Sequence, residues 1–213
     1  MSPAQEVALL ADELRDISAL GLLFSQNIYD RDNYLRIQRI ATQAFALASG
    51  LALDELEPLR GTLFSRPTPL TTGDAAIIDP AGQILLIRRA DNRLWAMPGG
   101  AMAVGETPAE AVIREAFEET GVRAEPLALV GVHDSRLCGT IARFHLYHFL
   151  FLCKPLNAGA GADRPAASHA IEVLQSDWFA EDALPGDIDP GHVTRIAAAY
   201  RMWHGECAAY FDH

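Results

Sequence analysis

Along the first sixty positions, apolar residues recur at the spacing of a helix face. Val7, Leu10, Leu14, Ile17 and Leu20 fall three or four apart, one stripe of a 3.6-residue period, so a helix is predicted over Gln5–Leu20. A short, mostly polar break, Ser25–Asp32, follows. Tyr34, Ile37, Ile40, Ala41, Ala44 and Ala48 then repeat the pattern up to Gly50, a helix stop. Ala52–Glu57 forms a third, shorter segment, halted by Pro58. In Phe64–Leu70 (FSRPTPL) each proline pushes the residue before it out of the helical region, so this stretch reads as a linker. The chain is therefore divided into a helical N-terminal domain, residues 1–65, and a second domain, residues 66–213.

The second domain changes period. Ala75–Ile78 and Gln83–Arg88 are short apolar runs around Asp79-Pro80-Ala81-Gly82. Asp first, Pro second and Gly fourth is the demand of a type I turn, so a hairpin is predicted. Leu127–Val132 and the aromatic-rich Ala142–Cys153 are further strand candidates, and Asn157–Ser168 is a small-residue loop. Asp189-Pro190 opens a closing helix, with Asp as cap and Pro as first helical residue. Strands interleaved with a few helices make an α/β or α+β core behind an all-helical preface.

Composition narrows the class. Of 213 residues, 50% are hydrophobic and 21% charged, too apolar for disorder and too charged for a membrane bundle. No apolar run approaches the roughly 20 residues of a spanning helix. The net charge of −11 argues against coating duplex nucleic acid, where Lys and Arg must replace counterions. The N-terminus carries acid where a signal peptide needs base, so a cytoplasmic location is expected. Cys138, Cys153 and Cys207 are an odd, widely spaced set, neither a disulfide framework nor a zinc site.

Chemistry concentrates in residues 95–122, WAMPGGAMAVGETPAEAVIREAFEETGV. Thr107 is an N-cap, Pro108 a first helical residue, Glu110 the closing member of a capping box, and Gly121 a left-handed stop. Glu115, Glu118 and Glu119 stand at i, i+3 and i+4 and share one face. That arrangement opposes itself: like charges repel at this spacing, and the last turns of a helix disfavour anions. Converging carboxylates suit a hard divalent cation, which takes oxygen ligands. Taken alone, the same run also fits an ordinary solvated acidic face.

The wider spacing resembles the Nudix box. Gly100, five residues, Glu106, seven residues, Arg114-Glu115-Ala116, one residue, Glu118-Glu119, one residue, then Gly121-Val122 reproduce that signature. At average residue usage a chance match is on the order of 10⁻⁷. Ala116 departs mildly, since the family usually has a larger aliphatic residue there. LLIRRADNRLWAMPGGAM resembles the family's approach to the box, and Glu172 precedes Trp178-Phe179 as an acid precedes an aromatic pair in many Nudix enzymes. The N-terminal ALGLLFSQNIYDRDNYLRIQRIA resembles the helical domain preceding Nudix hydrolases of X-linked nucleoside diphosphates.

The resemblance implies an α/β/α sandwich with a mixed sheet, behind the small helical domain. It implies Mg²⁺- or Mn²⁺-dependent hydrolysis of a diphosphate bridge in ADP-ribose, CDP-choline or a similar nucleotide. Glu115, Glu118 and Glu119 match the metal-binding carboxylates, and the Gly100 carbonyl the backbone ligand. Arg114, four residues before Glu118, can hold it by a charge-assisted bond; Glu106 can bind Arg114 or serve structure alone. Glu172 is the base candidate outside the box. Arg88, Arg89 and Arg136 are candidate phosphate clamps by charge. Tyr147 and Trp95 are candidates to stack a base, with the core the favoured place for both. His145 and His148 fall on opposite faces of a strand and read as structural histidines. Two rivals stand: an RNA 5′-end or nucleoside triphosphate pyrophosphohydrolase, and a non-catalytic nucleotide sensor. A homodimer is expected through the N-terminal helices, with Tyr29, Arg31 or Tyr34 near the nucleotide.

Overall fold

The computed structural model describes residues 3–60, 70–139, 146–156 and 172–212. The chain divides into two compact units, one built from the N-terminal helices and one from the strands and two later helices.

The first unit is three helices: α1 (Pro3–Phe24), α2 (Ile28–Ser49) and α3 (Leu53–Arg60). The break between α1 and α2 is shorter than predicted because Asn27 caps α2, its side chain accepting from the Asp30 N–H at 2.8 Å. Gly50, at φ 72°, ends α2 in the left-handed region. Pro58 does not halt α3, which runs on to Arg60. Near a helix end its missing N–H deprives only one carbonyl of a partner. The seam between α1 and α2 also differs from the predicted stripe. It is lined by small or polar side chains, Ala11, Ser18, Ala19, Gln38, Ala41 and Thr42, while Leu10, Ile17, Ile40 and Leu47 are exposed. Close approach explains this: a Cβ on Gly21 would fall 2.1 Å from the Tyr34 ring.

In the second unit, β1 (Leu70–Ile77), β4 (Gly99–Ala101), β5 (Ala124–Asp134), β6 (Leu146–Pro155) and β8 (Tyr210–Phe211) form a mixed sheet in the order β4-β1-β6-β5-β8. β1 runs parallel to β6 and antiparallel to β4. β2 (Gln83–Arg89), β3 (Trp95–Ala96) and β7 (Val173–Ala180) form a second, antiparallel sheet in the order β3-β2-β7. The predicted hairpin is therefore only a turn. Gly82 N–H closes it on the Asp79 carbonyl at 3.0 Å, but beyond one Ile78–Ile84 bridge the two strands part into different sheets.

Helices α4 (Pro108–Thr120) and α5 (Pro190–Trp203) cover opposite faces. Alternation along β1 shows this directly: Ala75 and Ile77 pack with Val112 and Ala116 of α4, whereas Ala76 and Ile78 pack with Ile196 and Ala199 of α5. With both faces buried, the strands read as continuous apolar runs. The result is the α/β/α sandwich with a mixed sheet expected from the sequence. Among the described residues no helix is long and apolar enough to cross a membrane.

Candidate active site

Helix α4 forms as its local sequence dictates. The Thr107 and Glu110 side chains satisfy each other's backbone N–H groups in a capping box, and Gly121, at φ 71°, returns its N–H to the Phe117 carbonyl. The buried stripe of Ala111, Val112 and Ala116 anchors one face. That anchoring fixes where the carboxylates of the other face can go.

They separate into two groups around Arg114. The guanidinium forks onto Glu106 through Nε and Nη2 at 2.6 and 3.0 Å. Its Nη1 donates to Glu115 at 2.8 Å and Glu118 at 3.0 Å, and Nη2 also reaches the Ala101 carbonyl at 3.2 Å. The repulsion expected between the glutamates is thus offset by one cation, which they hold above the ordinary arginine pKa. Glu119 stands apart. It is 7% exposed and accepts from the Gly99 N–H at 2.8 Å. Burial, with Glu115, Asp74 and Glu172 adding negative charge nearby, pushes its pKa up to about 8.

The glycine pair of PGG is required by contact. A Cβ on Gly99 would lie 2.1 Å from the Gly73 carbonyl oxygen on β1, so only glycine lets β4 lie this close. On Gly100 it would fall 2.6 Å from the Glu115 carboxyl carbon, in the space that the carboxylate now fills.

Glu119, Gly99 and Gly100 open onto a cleft of about 950 Å³, which Arg89 and Glu172 also line. Arg89 is paired with Asp91 at 2.7 and 3.0 Å. Glu172 is held by its own carbonyl, which accepts from the Ala90 N–H at 2.8 Å. Arg88, Arg136 and Tyr147 do not line this cleft, and neither do Arg114, Glu115 and Glu118. Arg88 points the other way from Arg89, as strand neighbours must, pairing with Asp187 at 2.9 Å and lying over Trp95. Arg136 forks onto Asp134 with its side chain 67% exposed. Tyr147 lies on the face opposite its lining neighbour His148. Trp95 is in the core, edge-on to Phe179 at 4.8 Å. Tyr29 and Arg31 are exposed on α2 and Tyr34 is half-buried there; His145 lies outside the described residues.

Apart from His148, the floor of the cleft is built from residues that the sequence analysis does not single out. Asp74, His148, His192 and Arg195 all line it, each less than a tenth exposed. Asp74 is ion-paired to Arg195, with His148 Nδ1 at 3.6 Å and His192 Nδ1 at 4.0 Å. Despite complete burial, Arg195 and the two histidines hold the Asp74 carboxyl well below the usual carboxylate range. Thr72 Oγ1 shares a 2.8 Å hydrogen bond with His148 Nδ1. Two signals were available in the sequence: a lone acid in the apolar run of GDAAII, and a lone arginine at a stripe position of the closing helix.

A family model described as the NUDIX domain matches residues 69–199. The chain belongs to the Nudix hydrolase family. A second model, described as a UDP-X-like, N-terminal oligomerisation domain, matches residues 5–59. Among curated relatives, a putative ADP-ribose pyrophosphatase of Bacillus subtilis (strain 168) is 31% identical over 175 residues, covering 82% of this chain and 81% of the relative. A MutT-like protein of Streptomyces ambofaciens is 38% identical over 106 residues, 49% of this chain and 63% of the relative. Among solved structures, a UDP-X diphosphatase is similar at TM-score 0.60 and 25% identity over 99% of this chain and 100% of that one. An ADP-ribose pyrophosphatase from Streptococcus suis 89-1591 is similar at TM-score 0.56 and 25% identity, covering 68% of this chain and 100% of that one.

Nudix hydrolases generally use divalent metals, and the donors here suit one. Gly100, Glu115, Glu118 and Glu119 offer only oxygen, the choice of hard cations. Glu119 is a buried carboxylate short of positive charge. In this conformation Glu115 and Glu118 turn to Arg114, and among the described residues no three carboxylates are gathered on one point.

Proposed function

We propose that this Nudix enzyme hydrolyses the diphosphate bond of a nucleoside diphosphate linked to X, such as ADP-ribose or CDP-choline, giving a nucleoside monophosphate and phospho-X. The observation that carries this reading is the likeness to a UDP-X diphosphatase along the whole chain, N-terminal helices included. Nucleoside triphosphates are also diphosphate substrates, but a curated relative that matches 82% of this chain carries an ADP-ribose name.

The Gly100 carbonyl, Glu115, Glu118 and Glu119 would hold Mg²⁺ or Mn²⁺. A bound divalent cation would screen the diphosphate and make a water more acidic. Glu172, which lines the cleft, would act as base. As water attacks one phosphorus, the new O–P bond forms, the bridging P–O bond breaks and the water's proton passes to the Glu172 carboxylate. Arg114 orders Glu115 and Glu118 for their task, and Arg89 can turn from Asp91 to a phosphate oxygen. A substrate panel of ADP-ribose, CDP-choline, UDP-sugars, dinucleoside polyphosphates and triphosphates, each with Mg²⁺ and Mn²⁺, tests the reading. Cleavage of the X-linked diphosphates ahead of the triphosphates is expected. Tight nucleotide binding with no turnover would replace the enzyme by a sensor.

The exposed Leu10, Ile17, Ile40 and Leu47 on α1 and α2 support a homodimer through the N-terminal helices, since apolar clusters of this kind mark contact surfaces. Light scattering should give twice the chain mass, and Ile17→Glu with Ile40→Glu should halve it.

A further inference from the structure

Two N–H donors on the floor of the cleft take no part in the hydrolysis described above. His192 and Arg195 lie one turn apart on the buried side of α5, 6% and 1% exposed, and both line the cleft. His192 Nδ1 accepts the Met97 N–H at 3.2 Å, which leaves the ring proton of the neutral imidazole on Nε2. Arg195 donates from Nε to the Gly191 carbonyl at 2.7 Å and from Nη1 to Asp74. Among the described residues neither His192 Nε2 nor Arg195 Nη2 has a partner. Both side chains line the cleft, so a ligand that enters it can complete these donors.

We propose that His192 Nε2 and Arg195 Nη2 bind a ring carbonyl oxygen of the substrate's nucleobase, so that the cleft favours uracil, cytosine or guanine over adenine. The proposal rests on the reading of this chain as a hydrolase of nucleoside diphosphates, and narrows it by ranking CDP- and UDP-linked substrates ahead of ADP-ribose. Both groups can only donate, so the ligand must present an acceptor. The Arg195 charge is already balanced by Asp74, His192 is neutral, and Glu119, Glu172, Asp91 and Asp189 line the same cleft. The pair therefore offers hydrogen bonds without net positive charge, which suits an uncharged carbonyl better than a phosphate. Position agrees. Met97, held by His192, lies two residues before Gly99, whose N–H holds Glu119, and Asp74 pairs with Gly99 across the strands. One nucleotide can reach both the floor and the acidic helix. A carbonyl oxygen has two lone pairs and can accept from both donors at once, whereas each ring nitrogen of adenine accepts only one hydrogen bond. A site built to hydrogen-bond one group rejects analogues that lack it.

Nucleoside monophosphates test this, because they carry a base and a phosphate but no bridge to cleave. Calorimetric titration of the full-length protein at fixed Mg²⁺ should show UMP, CMP or GMP binding ~10- to 100-fold more tightly than AMP. Arg195→Lys keeps a cation beside Asp74 but removes the guanidinium fork, and should bring the favoured nucleotides down toward AMP. His192→Leu should do the same. His192→Gln, whose amide can accept from Met97 and still donate into the cleft, should restore the preference. Melting curves establish that each variant is folded, and the His192 pair carries the test if Arg195→Lys is not. AMP binding as tightly as the other three would overturn the proposal. So would an equal loss for all four nucleotides and inorganic phosphate in Arg195→Lys, which would mark a phosphate subsite. Failure of the hydrolase reading looks different: no diphosphate is cleaved, yet the ranking of monophosphates is still measured.

Discussion

Arg114 and Arg195 both pair with carboxylates, and they differ in nearly every physical respect. Arg114 finds Glu106, Glu115 and Glu118 within eight residues of itself, with its side chain 32% exposed. Arg195 finds Asp74 across 121 residues of sequence, at 1% exposure. Water screens the first network, so each of its bonds contributes little and can be exchanged when a ligand arrives. The second has lost its hydration, and removing either partner strands a buried charge. Beside the cleft stands an adaptable wall, the acidic face of α4, and beneath the cleft a fixed floor that sets its shape.

Glu119 lies between these two regimes, buried like the floor yet on the acidic helix, and its loss should have the largest effect. Glu119→Gln should lower turnover by several orders of magnitude while leaving the fold intact, because the amide oxygen can still accept from Gly99. Steady-state kinetics alongside circular dichroism check both halves. Near-normal turnover would remove Glu119 from the metal site.

Asp74→Asn comes next. It leaves the Arg195 guanidinium without its counter-charge, at a cost of about 3–5 kcal/mol, read from urea unfolding. A change below about 1 kcal/mol would show that the floor is as adaptable as the Arg114 wall.

How much of this was legible depends on sequence distance. Helix α4 could be read in full because its cap, its proline, its stripe and its glycine stop are all local. The box glutamates and Arg114 came with it. Asp74 and Arg195 could not be paired in advance: each looked like an odd charge in an apolar element, and only the fold brings β1 and α5 together. The turn at Asp79–Gly82 was read correctly, but a turn does not say whether its strands stay paired, and these diverge into two sheets. In the N-terminal helices the strong apolar residues dominate the periodic pattern, whereas Gly21, Ala11 and Ala41 set the seam by allowing close approach.

Divalent metal should sharpen the contrast between wall and floor. An ion that binds only the folded carboxylates stabilises by mass action, about 2.7 kcal/mol at a hundredfold excess over Kd. For a chain of this size that raises Tm by roughly 5–10 °C. Glu119→Gln should lose most of the rise and His192→Gln none of it. A Tm unmoved by millimolar Mg²⁺ or Mn²⁺ would point to the sensor.

The metal-free protein should also show opposite pH slopes from the two regions. The folded Glu119 keeps a proton up to about pH 8, whereas the unfolded carboxyl releases it near 4.5. Its contribution is full below about 4.5 and is lost as pH rises through about 8. His192 behaves in the reverse sense. Burial, then the Arg195 charge, lowers its pKa from 6.5, so the unfolded chain binds a proton that the folded ring refuses. Stability from His192 is present above pH 6.5 and falls away below it. Melts from pH 4 to 9 should therefore show a maximum, with Glu119→Gln flattening the alkaline side and His192→Gln the acid side.

The smallest effect belongs to Glu106→Gln. The Glu106–Arg114 fork has short bonds, but both side chains keep water contact, at 21% and 32% exposed. Exposed pairs contribute about 0–1 kcal/mol, and Glu115, Glu118 and the Ala101 carbonyl remain to hold Arg114. The glutamine oxygen can also accept one of the two lost bonds. Urea unfolding should therefore shift by no more than about 1 kcal/mol, against several for Asp74→Asn. Activity should respond more than stability does, because a loosened Arg114 lets Glu115 and Glu118 settle away from the geometry that a cation needs. That separation, small in stability and larger in kcat, distinguishes an adaptable wall from a structural brace. Equal losses in both would mean that Glu106 and Arg114 hold the loop before α4 in place and do nothing further.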